Sequence, residues 1–180
     1  MNTTAILAEI VITGMITLTG ILLVFCGVVP NSMNFTTTVV NSNSDIFLGI
    51  FAIGFSYLLG NLVNVISHIL FDKVDKKNRN EILGNQINYA QTKVKIYIKS
   101  SDLKSYLDIR YSVVRLFRSS VLSLAILSIG FSFTKLEGLS FLPQIVIAGF
   151  VLVLALLSFL AYRNQVKTFY KAIKNMHNFL

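Results

Sequence analysis

From Ile46 to Phe71 the chain runs for 26 residues without a Lys, Arg, Asp or Glu. A helix of that length, rising about 1.5 Å per residue, exceeds the roughly 30 Å of hydrocarbon in a bilayer. Peptide groups find no water there, so a crossing segment must satisfy its own hydrogen bonds, as a helix does. The run is not uniformly apolar. Tyr57, Asn61, Asn64 and His68 follow one another at offsets of four, three and four, and Asp72 extends the series just past the run. Those offsets put all five side chains on one helical face. Ala52, Ser56 and Gly60 recur every fourth residue in the same stretch, the spacing of small residues that lets membrane helices approach closely. One helix is therefore expected to carry both a polar face and a packing face.

The rest of the chain fits the same solvent. Charged residues make up 13% of the sequence and hydrophobic residues 54%, against about 25% charged in soluble domains. The longest stretch between apolar runs is about 40 residues, near the lower limit for folding alone, so a single domain over residues 1–180 is expected. The first apolar run, about 5–29, has no Lys or Arg ahead of it. It lacks the basic start and short apolar core of a signal peptide and reads as a span. Glu9 lies near its start, and Thr13, Thr17 and Gly20 form a packing seam. Residues 30–44, PNSMNFTTTVVNSNS, read as a loop opened by Pro30.

After Phe71 the composition changes to DKVDKKNRNE, marking a membrane exit. Apolar residues then recur at Leu83, Ile87, Ala90, Val94 and Ile98, a helical spacing; the VKIYI alternation also fits a strand, but a lone strand would have no partner, so a helix is expected. Ser100, Ser101 and Asp102 supply N-cap chemistry for a further helix, expected to run through Arg110, Arg115 and Arg118 into a third span at about 113–133. Only Ser119 to Phe133 is uncharged there, about 22 Å of helix, so Arg118 must lie at or inside the membrane boundary. A fourth span follows at about 141–162, with Pro143 in its first turn. In the tail, 163–180, Val166, Phe169, Tyr170 and Ile173 share a face opposite Arg163, Lys167, Lys171 and Lys174, which predicts an amphipathic helix on the membrane or on the bundle.

These readings define an all-α membrane protein of four transmembrane helices, with a helical connection at 72–112 and an amphipathic C-terminal helix. Fifteen of the sixteen Lys and Arg residues fall between spans two and three, at the start of span three, or after span four. The positive-inside rule assigns those regions and both termini to the cytoplasm, in a cell inner membrane.

The polar series Tyr57, Asn61, Asn64, His68 and Asp72 is the first candidate site. It reads either as a water-filled path lined by several copies or as interhelical hydrogen bonding within one bundle. Glu9, Arg115 and Arg118 are the charges nearest hydrocarbon, and a carboxylate there is expected to pair with a guanidinium; Glu9 or Asp72 is expected to meet Arg118. Histidine is the side chain whose unperturbed pKa, about 6.5, lies closest to neutral pH, so a proton response at this position ranks above a metal role. A metal would need more ligands than His68, Asp72 and the only other histidine, His177. Cys26 is the only cysteine.

The basic 73–118 region is interleaved with Tyr89, Tyr97, Tyr106 and Tyr111. Its charge is what topology and anionic lipid already require, so nucleic acid is not the expected partner. A cytoplasmic protein or an anionic signal is. There is no phosphate-binding glycine loop, nucleophile elbow or carboxylate pair, so neither enzyme activity nor a cofactor is expected. The expected function is a small homo-oligomeric inner-membrane channel or pore-type effector regulated through the basic region, with bacterial defence as a setting suggested by size alone. The alternative is a non-conducting anchor, sensor or immunity-type subunit that acts by binding a protein.

Overall fold

The computed structural model describes residues 3–28, 45–84, 89–134 and 141–178. The described residues form five helices and no strand: α1 Thr3–Val28, α2 Asp45–Leu83, α3 Tyr89–Lys99, α4 Ser101–Phe133 and α5 Phe141–Asn178. Four of them, all but α3, are long and apolar enough to cross a membrane, and the chain is a multi-pass membrane protein. The loop expected at 30–44, position Ile87 and most of the 134–140 connection lie outside the described residues.

Long helices consecutive in the chain run up and down. Gly60 of α2 abuts Ile10 of α1, and Gly14 of α1 abuts Ser56 of α2, so these two are antiparallel. Glu9 meets Arg115, Thr17 meets Ser123, and Thr134 bonds to Leu23, so α1 and α4 are parallel. The Ser128 hydroxyl donates to the Ala148 carbonyl at 2.9 Å and the Tyr111 ring meets Phe169, so α5 is antiparallel to α4. α4 is the hub, packed on all four other helices.

Two kinds of core result, and solvent explains the difference. Toward the uncharged end the buried positions are small or polar, among them Thr13, Thr17, Ser56, Ser123, Ser128, Ala148 and Ala155 with Val63 and Val151 as the largest apolar ones, while Ile50, Phe51, Leu58, Val146 and Phe150 point outward. Lipid tails are as apolar as leucine, so helices there gain by close backbone approach and hydrogen bonds rather than by burying large side chains. The Thr17 hydroxyl donates to Ser123 at 2.9 Å, and Ser123 donates to the Thr13 carbonyl at 3.2 Å. At Gly20 a Cβ would lie 2.9 Å from the Leu127 backbone, and at Gly130 it would lie 2.6 Å from the Gly20 carbonyl; only a bare backbone fits at this crossing. Toward the charged end the core is conventional: Leu83, Ile96, Leu107, Val114, Tyr162, Val166, Phe169, Tyr170 and Ile173 cluster with Phe71, Phe117 and Phe159 around them. There water supplies a hydrophobic driving force.

Both long polar extensions are continuous with their spans. α2 crosses the DKVDKKNRNE run without a break and stops at Gly84, whose φ of +68° is readily adopted only by glycine and whose N–H bonds to the Asn80 carbonyl at 3.0 Å. α4 begins where the Ser100 hydroxyl accepts the Leu103 N–H, and it continues through the arginines to Phe133. The tail is continuous with the fourth span as the C-terminal part of α5, and its Val166, Phe169, Tyr170 and Ile173 continue inward the buried line of Gln144, Ala148, Val151, Ala155 and Tyr162, so its apolar face lies on the bundle. Spacings of three, four and seven keep that line on one face from end to end, and no Gly or Pro interrupts it after Gly149.

The apolar spacing over 83–98 is divided between two helices. α3 turns Thr92 and Ile96 inward, leaving Val94 and Ile98 exposed. Leu83 belongs to α2, on the other side of Gly84, so its periodicity does not carry into α3.

A cleft between α2 and α4

On α2 the buried line is Ser56, Gly60, Val63 and Ser67. The series Tyr57, Asn61, Asn64 and His68 is that line moved by one residue, hence turned by about 100°. It therefore flanks the packing seam instead of filling it. Tyr57 and His68 are exposed, and Asn61 and Asn64 are half-buried. Asn61 donates to its own helix at the Tyr57 carbonyl, 3.2 Å. The Asn64 side-chain oxygen Oδ1 is buried with no hydrogen-bond partner among the described residues, while its backbone carbonyl accepts the Ser67 hydroxyl at 2.9 Å. Of the small row, Ser56 and Gly60 lie in the α1 contact and Ala52 is half-buried.

The lower part of this flank opens on a cleft of about 470 Å³, with Asn64, Val65, His68 and Ile69 from α2 facing Tyr111, Arg115 and Arg118 from α4. Arg115 is fixed from behind by α1: its Nε and one terminal nitrogen each donate to a Glu9 carboxylate oxygen at 3.1 Å, and the Ser112 hydroxyl donates to the same carboxylate at 3.0 Å. Such a two-point guanidinium–carboxylate contact fixes orientation as well as charge.

Arg118 does not meet Glu9 or Asp72. It donates to Asp75 at 3.4 Å, and Asp75 also accepts the Tyr162 hydroxyl at 2.5 Å. Asp72 instead binds Lys76 on the exposed side of α2, at 2.6 Å. The reason is azimuth: Asp75 lies three residues beyond Asp72, turned by about 60° toward the α4 and α5 contacts. Arg118 is only 3% exposed, and its Nε has no partner among the described residues. The short uncharged run of the third span is thus accommodated by burying its arginine in protein. Asp75, Tyr162 and Ser112 were not singled out by sequence spacing. Asp75 carried a signal, being the one acid of the α2 extension placed three residues after Asp72 and four after Phe71.

The cleft presents two guanidinium groups, an imidazole, an amide and a phenol, with no carboxylate among its lining residues. It can hydrogen-bond water, anions or polar groups of an adjoining helix. Among the described residues no three His, Cys, Asp or Glu side chains converge. On the α3 side, cations cover the tyrosine rings: Arg79 over Tyr89, Lys93 over Tyr97 and Tyr111, Lys104 over Tyr97, and Arg110 over Tyr106, at 5.3–5.9 Å. Tyr97 donates to Asp108 at 2.6 Å, and burial together with that bond raises its pKa.

Fold and cleft together define a polytopic all-helical membrane protein with a polar flank on its second long helix. No protein-family model matches the chain, and comparison with curated protein sequences and with solved structures returned no match.

Proposed function

We propose that the chain is a subunit of a homo-oligomeric channel of the inner membrane, with both termini and the basic region cytoplasmic, in which the α2 flank lines the seam between copies. The observation that carries this reading is the polar edge of α2: exposed Tyr57 and His68 and half-buried Asn61 and Asn64 flank a helix whose other outward span residues are apolar, and among the described residues none of the four side chains hydrogen-bonds to another helix. Such groups are expensive in hydrocarbon unless they meet protein or water. The bundle's own axis is filled by Thr13, Thr17, Ser123 and the glycine contacts, so a conducting path belongs between subunits. The uncharged-end portion of α2, Ile50 to Phe55, is apolar and outward. It would form a dry constriction above the polar vestibule, opened by a signal acting on the basic end.

The test is ion flux from liposomes reconstituted with the full chain. Flux that changes when Asn64 or His68 is replaced by leucine supports the channel. A tight membrane would overturn it and favour the alternative of a non-conducting subunit, since the same flank would also seat a helix of another membrane protein.

A further inference from the structure

Just past the apolar runs, α2 and α5 lie side by side and run in the same direction. Lys73, Lys77 and Glu81 form one line of fourth residues on α2, and Phe159, Arg163 and Lys167 form the facing line on α5. Between them is a groove of about 640 Å³. Each line climbs about 6 Å per step, so the groove is graded: apolar at Phe159 on the membrane side, four cations in the middle, one carboxylate at the far end. None of the four cations is in an ion pair within 4 Å or lies over an aromatic ring among the described residues. This distinguishes them from Arg79, Lys93, Lys104 and Arg110, which are held on tyrosines. Below the groove, Leu70 of α2 and Leu156 and Leu160 of α5 are exposed apolar surface.

From this arrangement we infer that the α2–α5 groove is a binding site for the headgroup of an anionic phospholipid. The phosphodiester sits among Lys73, Lys77, Arg163 and Lys167, the acyl chains descend past Phe159 over the apolar surface, and Glu81 accepts hydrogen bonds from headgroup hydroxyls. Basic pockets between membrane helices at the charged face of a bilayer have the chemistry for this ligand, and arginine matches phosphate oxygens in a two-point contact. The groove is complete within one chain, so the inference stands apart from the channel reading: a monomer would bind the lipid equally well.

Native mass spectrometry of the full chain released from detergent tests it, with phosphatidylglycerol as probe, phosphatidylcholine as neutral control and glycerol phosphate as soluble competitor. Retention of phosphatidylglycerol over phosphatidylcholine is expected. K73Q/K77Q and R163Q/K167Q, one pair per helix, should each weaken retention roughly 25-fold, about fivefold per cation. K73R/K77R should restore it, and K95Q/K99Q, which removes the same charge from exposed positions of α3, should leave it within twofold of the parent. Equal loss in K95Q/K99Q would reduce the effect to general charge attraction and overturn the site. Equal retention of phosphatidylcholine would do the same, and competition by glycerol phosphate at the lipid's own concentration would make it a free-phosphate site instead.

Discussion

Arg115 places two hydrogen bonds of 3.1 Å on the Glu9 carboxylate, tying the first long helix to the hub at the level where the α2–α4 cleft opens. With 17% and 6% of their side chains exposed, these partners are shielded from water, and losing either leaves the other charge uncompensated. Glu9→Gln and Arg115→Gln are each expected to destabilise the fold by about 3 kcal/mol, read from the denaturation midpoint in mixed micelles. Glu9→Arg combined with Arg115→Glu should recover part of that loss.

The assignment of Arg118 to Asp75 separates two aspartates one helical turn apart. Asp75→Asn should cost about 3 kcal/mol, because it strands a guanidinium that is 3% exposed and removes an acceptor from Tyr162. Asp72→Asn should leave the midpoint unchanged, since the Lys76 pair is exposed. A reversed order would show that the partner is Asp72.

Gly60 and Gly54 make a matched comparison on α2. A Cβ at Gly60 would collide with the Ile10 carbonyl, whereas Gly54 has nothing within 4 Å. Gly60→Ala is expected to push α1 and α2 apart at a cost of about 2 kcal/mol, and Gly54→Ala should cost nothing measurable in the same assay.

The Tyr97 hydroxyl gives a pH dependence with a defined sign. Burial and the bond to Asp108 raise its pKa in the folded state, while in the unfolded chain it returns to about 10. Its contribution is fully present below pH 10 and is lost as pH rises above that, because the unfolded form releases the proton first. Tyr97→Phe should therefore flatten the alkaline decline in stability above about pH 10, measured by thermal melts from pH 8 to 11.

Much of this architecture is legible in the residues because hydrocarbon length and helix capping are local properties. The four spans, the Ser100 cap and the continuity of α4 through three arginines depend on composition and neighbours. What escapes local reading is azimuth between elements. Asp72 and Asp75 are equally acidic and differ in partner only through about 60° of rotation. The face that α3 buries cannot be read from the Leu83-to-Ile98 spacing because Gly84 resets the helix between Leu83 and Val94. On α2, Ser56 and Gly60 compete with Asn61 and Asn64 as packing residues. Only the contact with Ile10 and Gly14 of α1 decides that the small residues go inward and the amides to the flank.

The central claim is that the α2 flank is a seam between copies of this chain, and the mass of the protein in lipid nanodiscs tests it most directly. Native mass spectrometry should find a closed assembly of several 20.1 kDa subunits, reduced to smaller species when Asn61, Asn64 and His68 are all replaced by leucine. A strict monomer in native lipid, unchanged by those replacements, would contradict it.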